Sequence, residues 1–341
     1  MPLQRLIEAS APARIDLAGG TLDLWPLHVL HPGSVTVNLA IDRRAACRVR
    51  PSSDGWRVVA PGRALDARAA RPKDLLANPQ TALVGSLLEA LAVETPLEVE
   101  LSSEVPYGSG LGGSSALVVA VTGGLEPFAG QPFEGSDRIA FVRDVETRVL
   151  GKPAGVQDYY PPFEGGLHRI WFDVGAARVE REAVDADAWE RHLTLFDTGA
   201  THSSGMNNWE IFRARLEGDP EVAGRLEEVR RAAVGMAQAA SAGDFPAMGR
   251  ALAEEWEARR RLAPVVSTPA IEDSIAAARA AGAWAGKACG AGGGGCVVFL
   301  SPADRTVAVR QALSRLSGGA LLGVRAENRG RIVREAGGST F

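Results

Sequence analysis

Pro106-Tyr107-Gly108-Ser109-Gly110-Leu111-Gly112-Gly113-Ser114-Ser115-Ala116 is the stretch on which the reading of this chain turns. It follows Leu97-Glu98-Val99-Glu100-Leu101, whose strict alternation predicts a strand with one wet face, and it runs into a helical pattern from Ser114 to Leu125. Closely spaced glycines let backbone N–H groups converge without interference from Cβ atoms. The helix start adds its own free N–H groups and the positive end of its dipole. Such a turn suits the phosphates of a nucleotide, and Ser114 and Ser115 can add hydroxyls or a metal ligand. A plain glycine-rich turn with a serine cap is the simpler alternative. Gly108, Gly110 and Gly113 also fit the spacing of a dinucleotide-binding turn, but the strand before them carries charge at every second position and Pro106 intervenes. No Lys-Ser or Lys-Thr follows the glycines, as a P-loop requires.

Three further segments bear on the same chemistry. Pro12-Ala13-Arg14-Ile15-Asp16-Leu17-Ala18-Gly19-Gly20-Thr21-Leu22-Asp23 reads as a strand entering a glycine turn, with Arg14 and Asp16 on one face and Asp23 beyond the turn. Either Arg14 stands near a transferring phosphate while Asp23 holds substrate hydroxyls, or this is a surface strand with an Arg–Asp pair. Farther on, Glu146 lies in a helical pattern ahead of Gly151-Lys152-Pro153, and Asp158 follows on the next segment. Two carboxylates from different elements can serve different ends, one on a magnesium ion and the other as base toward a hydroxyl. Arg14 or Lys152 would keep such an aspartate ionised. Finally, the glycines of Gly286-Lys287-Ala288-Cys289-Gly290-Ala291-Gly292-Gly293-Gly294-Gly295 lead directly into an apolar strand, Cys296 to Leu300. Backbone there must approach something closely, a ligand phosphate or the first glycine turn.

The whole chain frames these segments. Its 341 residues are 46% hydrophobic and 23% charged, enough for two modest domains or one large one with a proper core. A net charge of −4 gives no electrostatic footprint for nucleic acid or an anionic membrane. No apolar run is long enough to span a bilayer, and Met1 to Arg14 lacks a signal-peptide pattern, so a cytoplasmic protein is expected. Cys47, Cys289 and Cys296 read as reduced, partly buried thiols. Of 37 basic residues only Lys73, Lys152 and Lys287 are lysines. Lys287, beside the richest glycine cluster, is the candidate for a place that needs a compact ammonium. Strand-like runs such as Val35 to Ile41 and Ala46 to Val49 dominate up to about Asp173. A polar connection runs from there to about Glu190, and a more helical second part follows. It includes an αα-hairpin, Pro220 to Ala242 and Phe245 to Arg261, joined at Gly243-Asp244. Short strands are expected at 321–324 and 331–333.

Taken in order, these segments resemble the GHMP kinases, the superfamily of galactokinase, homoserine kinase, mevalonate kinase and phosphomevalonate kinase. Pro12 to Asp23 is similar to the family's substrate motif, Pro106 to Ala116 to its phosphate-binding motif, and Lys287 to Cys296 to its C-terminal glycine motif. Gly155-Val156-Gln157-Asp158-Tyr159, Gly165-Gly166, Asp197-Thr198-Gly199 and the Glu254, Glu255, Trp256, Arg259 helix look like the sugar 1-kinases of the D-glycero-D-manno-heptose 7-phosphate type. The resemblance implies an α+β fold with two lobes: an N-terminal ATP-binding lobe like ribosomal protein S5 domain 2, over 1–175, and a ferredoxin-like C-terminal lobe, over 190–341.

It also implies roles. Asp158 would be catalytic base, or orienter, at the acceptor hydroxyl, and Arg14 would stabilise charge on the transferring phosphoryl group. Pro106, Gly108, Ser109, Gly110, Leu111, Gly112, Gly113, Ser114 and Ser115 would wrap the triphosphate of ATP. Ser114 and Glu146 would hold Mg2+, although the order Gly112-Gly113-Ser114-Ser115 leaves open which serine does so. Asp23, Gly19 and Gly20 would bind substrate together with Asp158, with Gly292 and Gly293 contributing from the second lobe. Gly20 stands where galactokinases carry an acid, which argues against galactose. The implied activity is ATP-dependent phosphorylation of a sugar or sugar phosphate, at the anomeric hydroxyl of a heptose 7-phosphate-like acceptor. The alternatives are another small alcohol (a free hexose, a cyclitol or mevalonate) or an inactive ATP- and sugar-binding sensor. Trp25, His28, Tyr160, His202 and Ser203 are the residues expected to choose the acceptor. The oligomeric state is open, a homodimer included.

Overall fold

The computed structural model describes residues 5–130, 137–200 and 204–336. In the first lobe β1 (Ile7–Ala18) runs antiparallel to β2 (Ser34–Pro51), and the short helix α1 (Leu27–Leu30) lies in the connection between them. The hairpin β3 (Trp56–Ala60) and β4 (Leu65–Ala69) follows, then α2 (Ala82–Ala90) and β5 (Leu97–Ser103). Helices α3 (Gly113–Leu125), α4 (Arg138–Leu150) and α5 (Tyr160–Glu164) precede a second hairpin, β6 (Leu167–Phe172) with β7 (Arg178–Glu182). The expected strand at Leu97 to Leu101 is β5, with Leu97, Val99 and Leu101 buried and the glutamates between them half-buried.

The second lobe begins with α6 (Ala186–His192) and β8 (Leu193–Asp197). It continues through α7 (Ser204–Leu216), α8 (Pro220–Ser241), α9 (Phe245–Arg259) and α10 (Pro269–Ala280). Then come β9 (Ala285–Ala288), β10 (Cys296–Leu300), α11 (Thr306–Leu313), β11 (Ala320–Leu322) and β12 (Ile332–Glu335). The αα-hairpin forms as expected, and the Asp244 carboxylate caps α9 by accepting from the Ala247 N–H at 2.9 Å. The four-stranded sheet has the order β11-β8-β10-β9, antiparallel throughout, with helices between β8 and β9 and between β10 and β11. That is the ferredoxin-like β-α-β-β-α-β arrangement.

Several expectations need correction. Val35 to Ile41 and Ala46 to Val49 are one strand of 18 residues, β2, because its two halves have different neighbours: β6 along the first and β5 along the second. The polar stretch after Asp173 contains β7 and α6, since its charged residues can face solvent from an edge strand as well as from a loop. All three cysteines are fully rather than partly buried. The dinucleotide-binding alternative fails on topology, because β5 pairs antiparallel with β2 and only β3 runs parallel to it.

The segment 190–341 is not a closed unit. β12 crosses back and pairs antiparallel with β1, Ile7 opposite Glu335 and Ser10 opposite Ile332. The largest core is likewise common to both lobes. Ile15, Leu17, Val35 and Val37 of the first pack with Leu195, Met236, Leu252 and Val298 of the second. β10 explains its own unbroken apolar run: Cys296, Val298 and Leu300 face this shared core, while Val297 and Phe299 face a second cluster with Ile271, Val309 and Leu313. Removing the residues after Arg331 is therefore expected to lower the Tm of the whole chain by about 5 °C or more. Differential scanning calorimetry checks this, and a first lobe that melts unchanged would contradict it.

Candidate active site

The glycine turn lies where the lobes meet. Gly108, Gly110 and Gly112 have φ of 70°, 76° and 69°, the left-handed region open to glycine. At Gly110 a Cβ would also lie 2.2 Å from the Cys289 carbonyl oxygen, so no side chain is admitted. The turn starts with Ser109 N–H donating to the Pro106 carbonyl at 3.3 Å, and Gly113 opens α3. No side chain caps α3, which leaves its first amides and dipole for an anion.

Ser114 and Ser115 turn toward α4 instead. Their hydroxyls donate to the two carboxylate oxygens of Glu146, at 2.8 Å and 3.1 Å, and the Tyr159 hydroxyl donates to the second oxygen at 2.5 Å. Burial raises the Glu146 pKa above the ordinary carboxylate value even though these hydroxyls favour its charge. All three partners are neutral.

On the other side of the turn Arg14 is the central cation. Its Nε and Nη2 reach Asp158 Oδ1 at 2.9 Å and 2.8 Å, Nη1 donates to the Gly110 carbonyl at 2.6 Å, and its backbone N–H donates to the Leu111 carbonyl at 3.0 Å. Burial works against the Arg14 charge, but the Asp158 and Asp16 carboxylates more than offset it and hold its pKa above the ordinary value. Arg14 is thus buried rather than on a surface strand. Of the two cations expected near Asp158, it is Arg14 that makes the contact.

Asp23 closes the site. It is 5% exposed, and its Oδ2 accepts from the Gln157 N–H at 3.1 Å, next to Asp158. Burial, reinforced by the Asp158 charge, pushes the Asp23 carboxyl up to about 7. Gly20 is confined in the same way as Gly110: a Cβ there would lie 2.4 Å from Asp16 Oδ2 and 2.9 Å from Gln157 Nε2.

The second glycine loop braces the first. Cys296 N–H donates to the Ser109 carbonyl at 2.8 Å, and the Thr198 hydroxyl donates to the Gly295 carbonyl at 2.8 Å. Gly293 N–H donates to the Val266 carbonyl at 2.7 Å, and Gly292 packs against the same residue. These two glycines were expected to bind substrate. The Gly293 amide is engaged with the loop that precedes α10.

Comparison with known proteins follows the same lines. The model of the GHMP kinases N terminal domain matches residues 81–166, and that of the GHMP kinases C terminal domain matches 236–318. The chain is 25% identical over 325 residues to the D-glycero-alpha-D-manno-heptose 7-phosphate kinase of Campylobacter jejuni, covering 92% of this chain and 95% of that one. It is 26% identical over 301 residues to the mevalonate kinase of Methanothermobacter thermautotrophicus, covering 86% and 90%. In fold it is similar to a D-glycero-D-manno-heptose 1-phosphate kinase from Bacteroides thetaiotaomicron, with a TM-score of 0.75 at 22% identity over 96% of this chain and 98% of that one. The chain belongs to the GHMP kinase family.

As a GHMP kinase it is an ATP-dependent small-molecule kinase, and its fold brings together Arg14, Asp23, Asp158, Glu146 and the turn from Pro106 to Ser115. Trp25 is 72% exposed beyond the turn Gly19 to Asp23, His28 stacks on Phe172, and Tyr160 tilts against His168. His202 and Ser203 lie outside the described residues. Among the described residues no three His, Cys, Asp or Glu side chains cluster as a metal site, and no helix is long and apolar enough to cross a membrane. Tyr159 and Gln157 were missed as site residues. Both adjoin Asp158, and their position in the same short segment was the available signal.

The Asp23 proton gives the kinase a pH dependence. The folded chain holds this proton up to about 7, whereas an unfolded chain releases it near 3.8. Stability contributed by the protonated acid is complete below the lower value and is lost as pH rises toward the upper one. Asp23→Asn is therefore expected to be more thermostable than the parent by a margin that widens from pH 5 to pH 8, while losing activity. Thermal melts across that range check it.

Proposed function

We propose that this kinase phosphorylates a sugar or sugar phosphate at the anomeric hydroxyl, with a heptose 7-phosphate as the type of acceptor. The observation that carries this reading is the bond from the Gln157 N–H to the Asp23 carboxylate, which brings Asp23 to the segment of Asp158, itself bound to Arg14. Two acids brought near each other suit an acceptor with several hydroxyls to donate. The heptose-phosphate kinases among both the sequence relatives and the structural neighbours support the same choice.

The reaction needs little covalent help from the protein. An oxygen of the acceptor attacks the γ-phosphorus of ATP, the bond to the β–γ bridging oxygen breaks, and ADP leaves. Asp158 orients the hydroxyl and receives its proton as the new P–O bond forms. Arg14 keeps two of its five N–H groups beyond those bonded to Asp158 and Gly110, and these can meet the equatorial phosphoryl oxygens. The amides of the glycine turn and the start of α3 hold the phosphates.

Mg2+ fits the donors on the other side of the turn. Glu146 is a buried carboxylate with only neutral partners, and Ser114 and Ser115 are hard oxygen donors beside it. These residues would hold the ion, which would neutralise charge on the phosphates. Because both serines contact Glu146, either can serve.

ADP release in the presence of hexoses, heptoses and their phosphates tests the acceptor. Turnover is expected with a heptose 7-phosphate, and Asp158→Asn is expected to lower kcat by roughly 10²–10⁴-fold while the protein stays folded. Failure of every sugar to raise ADP release above the acceptor-free rate would overturn the reading. Glu146→Gln is expected to raise the Mg2+ concentration needed for half-maximal activity by about tenfold or more, as a metal titration of the rate would reveal.

A further inference from the structure

Two features of the sequence remain outside the reaction as described: the lone buried lysine, and the Glu255–Arg259 pair on α9. They meet at one place. Lys287 Nζ donates to the Asp16 main-chain carbonyl at 3.0 Å and to its Oδ2 at 3.1 Å, and lies 3.9 Å from Glu255 Oε1. Arg259 donates from Nε to Glu255 Oε1 at 2.8 Å, from Nη2 to the Gly20 carbonyl at 2.7 Å and from Nη1 to Thr21 Oγ1 at 3.3 Å. Gly19 N–H donates to Glu255 Oε1 at 3.4 Å. All four charged side chains are nearly or wholly inaccessible to solvent, and they sum to zero charge.

Burying four charges is a poor way to stabilise a fold, since well-packed apolar side chains often do as well or better. What apolar packing cannot do is fix the direction of backbone groups. Here the second lobe takes hold of the backbone at Asp16, Gly19 and Gly20 and of the Thr21 hydroxyl, all on the first lobe. The turn needs this hold. β1 has a register shift between Asp16 and Ala18, and Thr21 has a φ of 78°, a left-handed conformation that strains a branched residue. Two residues later comes Asp23, which faces the Asp158 loop through Gln157.

We propose that Arg259, together with Glu255 and Lys287, is a positioning residue: it lets the second lobe fix the acceptor turn Gly19 to Asp23 against Asp158, independently of the phosphate turn. The inference rests on the kinase reading for its functional consequence, but not for the hold itself. The phosphate turn is braced separately, through Cys296 and Ser109, so the two substrates are aligned by different parts of the second lobe.

Arg259→Lys keeps the charge but loses the planar fork that spans Glu255, Gly20 and Thr21. Thr21→Gly removes the hydroxyl that accepts from Arg259 Nη1 and relaxes the turn while keeping all four charged side chains, so it serves as the second test should the first variant fail to fold. With D-glycero-D-manno-heptose 7-phosphate as the varied acceptor, both variants of the full chain are expected to lower kcat/KM for the acceptor by roughly 10–100-fold. KM for ATP and acceptor-free ATP hydrolysis should stay within about twofold, since neither variant touches the turn that holds the phosphates. Hydrogen exchange on the free protein should speed up at 19–23 and not at 108–115. An unchanged acceptor kcat/KM, a parallel rise in KM for ATP, or unchanged exchange at 19–23 would overturn the proposal. If the parent chain phosphorylates no sugar, the functional reading fails, and the exchange measurement still decides whether the hold exists.

Discussion

A buried guanidinium must have anions and carbonyls around it, and Arg14 obtains them from two distant parts of the chain. Asp158 supplies the carboxylate, Gly110 a carbonyl to the side chain, and Leu111 a carbonyl to the backbone N–H. Both bonds to Asp158 carry charge, and such bonds are the stronger and more directional kind. Taking Asp158 away would leave the buried guanidinium without its bound carboxylate. The requirement of one side chain therefore ties the strand β1, the phosphate turn and the Asp158 loop into a fixed arrangement, and the active site follows from that.

The same logic extends outward in two directions. Toward α4, Glu146 is a buried acid with no cation paired to it among the described residues, held by three hydroxyls. Toward the second lobe, Asp16 is a buried acid with its cations in place: burial disfavours its charge, yet Lys287, Arg259 and Arg14 hold its pKa below the usual carboxylate range. One acid has neutral partners and the other is neutralised by the protein. At Asp23 burial, reinforced by the Asp158 charge, raises the pKa.

Much of this was legible in the chain. The glycine turn, the helix after it, the αα-hairpin with its Asp244 cap and the alternating strand β5 all depend on local backbone preferences and short hydrophobic periods, which neighbouring residues suffice to express. Arg14, Glu146 and Asp158 were visible because a charged residue beside a glycine turn is conspicuous. The roles of Glu255, Arg259, Gln157 and Tyr159 were harder to read. A glutamate and an arginine four apart on a helix look like an ordinary solvated pair, and only the first lobe packing over them makes them buried. At Gly293 the amide donates to the Val266 carbonyl, and backbone contact of this kind has the same sequence signature as contact with a ligand.

By itself the sequence determined the elements, the anion-binding turn and the acids and cations available to a kinase, because each of these is set within a dozen residues. The tertiary structure decided how they are shared. It returned β12 to the first lobe, joined the two lobes through one core, and brought Lys287 to Asp16 and Arg14 to Asp158. Those outcomes rest on burial and on pairing between residues hundreds of positions apart, and a buried charge's partner is fixed only when the chain has closed around it.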